Sequence, residues 1–161
     1  MTDIVYFDLE TQRTANDAGG WDKKAAMGMS VGVTYSTRLG EYRIYPESRV
    51  QELIDQLLRA DLVVGFNVIS FDYEVLMGYT ISDLPHLCRT LDMLVEVEKT
   101  LGHRLGLDAI RWWREGNMMP IAEYCCYDVK CTKLVHEYGV QKKKLFYTDR
   151  FAQKKSVEIN W

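Results

Sequence analysis

The stretch DIVYFDLET, residues 3–11, is the segment from which the fold is predicted. Its large apolar residues alternate over residues 3–9, which is the pattern of a β-strand whose successive side chains point to opposite faces. Both faces carry apolar residues, so we expect a strand that lies centrally in a sheet. One face would present Val5, Phe7 and Leu9, and the other Ile4, Tyr6, Asp8 and Glu10.

Two further acidic segments follow along the chain, with Asp72 in GFNVISFDYEVL and Asp128 in YCCYDVKCT. Asp72 comes after a short apolar run, DLVVGF (61–66), which is expected to be a buried strand, and it would lie in the first turn of a helix. Asp128 would lie inside a long helix, one turn after Tyr124. We expect these elements to bring four carboxylates, including those of the first strand, to one end of the sheet.

Four like charges in a partly buried place require a strongly positive partner, and the simplest is a pair of divalent cations. Asp8 and Glu10 leave the same face of the strand roughly 6.6–7 Å apart, a spacing that can hold two ions about 3.5–4 Å from each other. An all-oxygen site suits Mg²⁺ or Mn²⁺, whereas zinc would recruit His or Cys. Taken singly, each motif also has an ordinary explanation, such as an exposed strand end or, for Asp72, a helix dipole.

The rest of the chain predicts an α/β fold with a mixed sheet flanked by helices and a C-terminal hairpin, in a single domain over residues 1–161. Ser48 and Gln51 are expected to form a capping box, Ser70 to cap a second helix, and Gly139 to stop a long helix that begins at Pro120. The predicted elements are strands at 27–35 and 42–45, helices at 50–58, 70–78, 92–101, 107–115 and 120–139, a connection or strand at 85–88, and two strands in KLFYTD and KKSVEINW.

The composition is that of a globular protein, with 161 residues, 47% hydrophobic residues and a formal charge of −3. This charge argues against a protein that coats nucleic acid through a basic surface. A signal sequence and a membrane-length apolar run are both absent from the sequence, so we expect a cytoplasmic protein with no membrane partner. The four cysteines, among them the adjacent Cys125 and Cys126, are expected to be reduced thiols.

The three acidic motifs carry a resemblance to a known family. FDLET, NVISFD and YCCYD resemble the three exonuclease motifs of the DEDD superfamily, the DnaQ-like 3′–5′ exonucleases with a ribonuclease H-like fold. Tyr124, four residues before Asp128, resembles the DEDDy branch; the DEDDh branch has a His where Glu123 stands here. ADLVVGFNVISFDYEVL and RWWREG resemble the YprB-like prokaryotic subgroup. The resemblance covers about residues 3–139, although the stretch between Asp92 and Tyr124 is shorter than in most of the superfamily.

The resemblance implies a metal-dependent 3′–5′ exonuclease that releases nucleoside 5′-monophosphates from DNA or RNA by a two-metal-ion mechanism. Tyr124 would orient the attacking water, Thr11 would meet the terminal nucleotide, and Asn67 would contact substrate or organise its turn. The implied partners are nucleic acid 3′ ends, with a helicase or another nucleic-acid-processing protein as a candidate, and the oligomeric state stays open. Two divalent metal ions, Mg²⁺ or Mn²⁺, would be held by Asp8, Glu10, Asp72 and Asp128.

Three other functions stay open on the sequence. A non-catalytic nucleic-acid-binding module would keep the ribonuclease H-like fold, but a degenerate domain should have lost one or more of the carboxylates that this chain retains. An endonuclease or junction resolvase on the same fold would also use clustered acids. A nucleotide hydrolase is the third alternative, because the sequence shows no long basic groove.

A few residues outside these motifs have two interpretations. Asp92 either supports the acidic site or caps its own helix. Trp112 and Trp113 either stack on a base or pack in the core. Trp161 follows an apolar strand face that we expect to be covered, with another subunit as the candidate.

Overall fold

A computed structural model of the protein describes residues 2–95, 118–148 and 153–161. Five strands form one mixed sheet in the order β3-β2-β1-β4-β5, and two more form a separate pair. The predicted α/β class, a mixed sheet flanked by helices, is confirmed. The strands are β1 (Ile4–Thr11), β2 (Met29–Ser36), β3 (Glu41–Pro46), β4 (Leu62–Gly65), β5 (Thr90–Asp92), β6 (Lys144–Thr148) and β7 (Lys154–Glu158).

Helical segments lie on both faces of the sheet, and none in the described part of the chain is long and apolar enough to cross a membrane. Residues 93–95 are helical, and the remainder of the helix predicted at 92–101 lies outside the described residues, as do the helix predicted at 107–115 and the Trp112–Trp113 pair. The helices are α1 (Ala15–Ala18), α2 (Val50–Arg59), α3 (Tyr73–Leu76), α4 (Leu84–Leu87) and α5 (Met118–Lys142), with 3₁₀ turns at Trp21–Ala26 and Glu47–Arg49 and a π turn at Val68–Asp72.

β1 is the central strand, as its two apolar faces predict. It pairs with β2 in antiparallel register and with β4 in parallel register. On one face Val5, Phe7 and Leu9 belong to a core that includes residues of α2. On the other face Tyr6 belongs to a second core that includes Ile121 of α5. A strand buried on both faces fixes the position of every side chain it carries.

α2 forms because its apolar residues recur on one side of the helix, and it packs that side onto the sheet. Leu53, Ile54 and Leu57 are fully buried there, and each such side chain contributes about 1.5–3 kcal/mol by leaving water. The predicted capping box of Ser48 and Gln51 is wrong. A 3₁₀ turn precedes the helix, and no side chain among the described residues caps its first turn.

The segment after β4 also differs from the prediction. Val68–Asp72 is a π turn, and α3 begins only at Tyr73. Ser70 therefore does not cap a helix; its hydroxyl donates to Asn67 Oδ1 at 2.8 Å. Near residues 85–88 the chain forms the helical turn α4 and not a strand. Local hydrogen bonds of Ser and Asn compete with regular helix here.

The predicted stop of the long helix at Gly139 is wrong, because α5 continues to Lys142. Lys143 ends it in a left-handed conformation, φ 57°, and its N–H donates to Gly139 O at 2.8 Å. Gly139 instead provides the space in which the C-terminal segment packs on the helix. A Cβ there would collide with Ile159 Cδ1 and would lie 2.8 Å from Trp161 Nε1.

The predicted C-terminal strands are confirmed as an antiparallel pair, β6 and β7, and residues 149–152 between them lie outside the described residues. The expected need for another subunit to cover this pair is wrong. Val157 and Ile159 are buried within the chain, and the Trp161 ring stacks on His136 of α5 with centroids 6.3 Å apart. The long helix therefore covers this face.

We expect Gly139→Ala to destabilise the protein by about 1–3 kcal/mol, because the added methyl has no room against Ile159 and Trp161. At an exposed helix position the same change would stabilise the protein by about 0.5–1 kcal/mol. The sign of the change in unfolding free energy therefore shows whether Gly139 is packed against the C-terminal segment. Urea unfolding followed by circular dichroism measures it. Val140→Ala at the exposed neighbouring position is the control, and a more stable Gly139→Ala variant would contradict this packing.

Candidate metal centre

Three carboxylates from two elements meet at one place beside β1. Asp8 and Glu10 extend from β1, Asp128 extends from α5, and each offers an oxygen within 4.8 Å of the others. All three side chains are half-buried. They converge because β1 pairs with β4 at one end and packs against α5 along the same face. This group is called the acidic cluster below.

Asp72 lies beside the acidic cluster, at the end of the π turn that follows β4. It is buried, and its Oδ1 accepts a hydrogen bond from the backbone N–H of Leu9 at 3.0 Å. Because Leu9 stands between Asp8 and Glu10, this bond ties the turn to the part of β1 that carries the cluster. The structure thus brings all four predicted carboxylates to one site.

Tyr124 reaches the same site from α5. It lies one turn before Asp128, and the two side chains are hydrogen-bonded, the hydroxyl donating to the carboxylate. Burial, and then the negative charge of Asp128, raise the pKa of Tyr124 to about 12. The phenol is therefore protonated at neutral pH and acts as a donor to Asp128.

The electrostatics of the cluster favour neutral carboxyl groups when no cation is present. Burial, and then the charge of Asp128, raise the pKa of Asp8 to about 7. Burial, and then the charges of Asp8 and Asp128, raise the pKa of Glu10 to about 8. Burial also raises the pKa of Asp72 and of Asp128. Protons or cations must neutralise this group, since like charges that are poorly solvated repel one another.

The donors fit a hard divalent cation. Asp8, Glu10 and Asp128 offer only carboxylate oxygens, which suit Mg²⁺ or Mn²⁺. The raised pKa values arise because burial and neighbouring negative charges both disfavour the charged carboxylates. A metal ion can therefore be held by this cluster at neutral pH by displacing protons from it.

The acidic cluster opens into a cavity of about 400 Å³. Thr11 lines this cavity; it is buried, and its hydroxyl donates to Arg13 O at 3.1 Å. The register of β1 and β2 shifts between Glu10 and Thr11, and such a bulge changes the direction of the side chains at a strand end. The cavity is also lined by the large apolar side chains of Trp21, Met27, Phe66 and Phe71, which are called its apolar wall below.

Asn67 both lines the cavity and organises the turn after β4. It has a left-handed backbone conformation, φ 66°, which Asn tolerates better than most residues. Its N–H donates to Asp92 Oδ1 at 2.8 Å, and the N–H of Ile69 donates to Asp92 Oδ2 at 3.0 Å. Asp92 is buried and also accepts from Leu94 N–H at 3.0 Å. It thus caps its own helical segment and supports the site, so both interpretations of Asp92 hold.

Cys125 also belongs to this site, although the sequence predicted only a reduced, buried thiol at that position. Its Sγ lies 3.4 Å from both the backbone oxygen and Oδ2 of Asp8, to which the thiol donates. All four cysteines are free, as predicted. The place of Cys125 in the site could have been predicted from the sequence, because it stands three residues before Asp128 and therefore on the same side of the helix. The apolar wall of the cavity could not be predicted in this way, because its residues come from two stretches of the chain, 21–27 and 66–71, that are far apart in sequence.

The sequence was compared with models of known protein families and with curated proteins. Neither comparison finds a match. Function is therefore inferred from the geometry of this site and from the motifs that form it.

Without metal, we expect stability to fall as the pH rises from about 5 to about 8. Asp8 and Glu10 have pKa values of about 7 and about 8 in the folded state, against about 3.9 and 4.3 in an unfolded chain. The folded protein therefore binds more protons in this range, and deprotonation favours unfolding. The measurement is the melting temperature in chelator against pH.

Added Mn²⁺ should raise the melting temperature more at pH 8 than at pH 5, because bound protons compete with the metal at pH 5, whereas at pH 8 the carboxylates are more often charged and available. Glu10→Gln should flatten the pH profile in chelator, while Glu158→Gln, at an exposed site on β7, should leave it unchanged. A pH-independent melting temperature in chelator over this range would contradict the charge crowding.

We expect Asp92→Ala to lower the free energy of unfolding by about 3 kcal/mol or more, because three backbone N–H groups lose their acceptor and each costs about 1–3 kcal/mol. Urea unfolding measures this loss. Asp83→Ala is the matched control, since that carboxylate is exposed and pairs with His86 at the surface. Equal stability of the two variants would show that Asp92 does not hold the turn.

Proposed function

We propose that the protein is a metal-dependent 3′–5′ exonuclease that hydrolyses phosphodiester bonds of DNA or RNA and releases nucleoside 5′-monophosphates. The observation that carries this proposal is the convergence of Asp8, Glu10 and Asp128, with Asp72 beside them, at an open cavity. The DEDDy-type order and spacing of these residues support it further. The five-stranded mixed sheet is compatible with the ribonuclease H-like fold that this resemblance implies.

The acidic cluster would hold the metal, with Asp72 contributing from the end of its turn. A bound pair of divalent ions would supply an activated water and would stabilise the departing 3′ oxygen of the nucleotide. The residues of the chain keep the carboxylates in place: Leu9 N–H fixes Asp72, and the Cys125 thiol donates to Asp8.

Tyr124 would position the attacking water and not deprotonate it. Its pKa of about 12 means that the hydroxyl keeps its proton at neutral pH and donates a hydrogen bond to Asp128. A phenolic oxygen that donates one hydrogen bond can also accept one, here from the attacking water. With 37% of its surface exposed, Tyr124 is open to solvent at the cavity.

The cavity supports a substrate with both an anionic and an apolar part. The carboxylates with their cations would take the phosphodiester, and the rings of Trp21 and Phe66 offer stacking surfaces for nucleobases, each such contact being worth about 1–3 kcal/mol. Thr11 and Asn67 also line the cavity and would contact the terminal nucleotide. A nucleic acid end has this combination of groups.

We expect Asp8→Asn and Asp128→Asn each to reduce nucleotide release by at least about a hundredfold, because each removes a charged ligand of the metal. Tyr124→Phe should retain metal binding and lose part of the rate. The assay uses 5′-labelled single-stranded and duplex DNA and RNA with Mn²⁺, Mg²⁺ or chelator. Glu158→Gln is the control for a charge change away from the site.

The same assay separates the other functions. Cleavage of a circular single strand would indicate an endonuclease. Tight binding of DNA or RNA without any metal-dependent release would indicate a non-catalytic module. Full activity of Asp8→Asn with unchanged circular dichroism would rule out the metal centre as the catalytic site.

A further inference from the structure

The outward side of α5 carries large apolar side chains away from the core. Tyr127, Leu134 and Tyr138 are 64, 53 and 40% exposed. They are seven and four residues apart, so they follow one another along one side of the helix. The opposite side of the helix is the one that packs on the sheet, through residues such as Ile121 and Val129. This exposed row is called the outer stripe below.

The N-terminal half of α5 forms one wall of a groove next to the outer stripe. The groove has a volume of about 490 Å³ and lies between α5 and the edge strand β3. Exposed apolar side chains come from both walls, and Tyr127 belongs to both the groove and the stripe. The apolar lining is Tyr42, Ile44, Met119, Ala122, Cys126 and Tyr127.

Charged residues along one flank of the stripe determine which partner fits. Glu123, Lys130 and Glu137 are seven residues apart and therefore lie in one row with alternating sign. All three are exposed, and Glu137 also pairs with Lys133 at 2.8 Å. If two copies of α5 pair in antiparallel direction about a two-fold axis between residues 130 and 137, Lys130 of each copy faces Glu137 of the other. Parallel pairing would place like charges together.

We propose that two copies of this chain associate through antiparallel contact of their α5 helices. In this arrangement the two Leu134 side chains meet at the axis, and Tyr138 of one copy approaches Tyr127 of the other, at the end of the groove. Each copy thus supplies a protruding Tyr138 that packs at the groove end of the other, and the two contacts are identical by symmetry. Burial of apolar surface supplies the affinity, and the two Lys130–Glu137 pairs fix the direction.

The proposed pairing does not use the carboxylates of the acidic cluster. Asp128 is one residue from Tyr127, so its side chain leaves the helix about 100° away from the outer stripe. The association is independent of the proposed exonuclease activity, and an Asp8→Asn variant should associate as the parent does.

Sedimentation velocity of the full chain from about 1 to 100 µM tests the proposal. The parent should show a dimer whose fraction rises with concentration, and Leu134→Glu should be monomeric over the same range with unchanged circular dichroism. Ile81→Glu, a matched change at another exposed apolar residue, should dimerise as the parent does. A parent that is monomeric throughout, or a Leu134→Glu variant that dimerises, would overturn the proposal and leave this face to a different partner.

Charge reversal tests the direction of the helices without removing apolar surface. Lys130→Glu should weaken the dimer about tenfold, because it places two negative side chains next to each other at both Lys130–Glu137 contacts of the dimer. The double variant Lys130→Glu with Glu137→Lys should recover the parent affinity. An affinity unaffected by Lys130→Glu, or a double variant that stays as weak as the single one, would exclude the antiparallel pairing.

Discussion

The crowding of acidic side chains around Asp8 is the constraint on which the rest of the structure depends. The carboxylates of Asp8, Glu10 and Asp128 each offer an oxygen within 4.8 Å of the others. Asp72 lies next to them. Their charges lose hydration and repel one another, so the pKa values of Asp8 and Glu10 rise to about 7 and about 8. The folded chain keeps this arrangement because the two apolar cores on either side of β1 supply the free energy.

The fold meets this constraint by fixing each carboxylate through a different contact. β1 is held by strands on both edges and by side chains on both faces, so Asp8 and Glu10 have little freedom. Leu9 N–H holds Asp72, and Asp92 holds the turn that presents it. α5 supplies Asp128, and Ile159 and Trp161, which follow β7, pack against α5 at Gly139. The site therefore needs parts of the chain that are far from it in sequence.

The acidic residues themselves were predictable because their signals are local. Alternation in β1, the apolar run of β4 and the one-turn spacing of Tyr124 and Asp128 depend only on neighbours in the sequence. The ends of elements were less predictable. Ser48, Ser70 and Gly139 are typical capping residues, yet a 3₁₀ turn, an internal hydrogen bond and the packing of Trp161 give them other roles.

Residue type and spacing were thus enough to predict an α/β chain with four clustered carboxylates and a tyrosine one helical turn from the last of them. Only folding determined the contacts that join distant segments. The Cys125 thiol donates to Asp8, 117 residues away in sequence, and the Asp92 carboxylate accepts from the backbone of the Asn67 turn. The apolar wall of the cavity is likewise formed by segments that are far apart in sequence. No periodic pattern in the sequence predicts these contacts, because each depends on how whole elements pack against one another and not on neighbouring residues in the chain.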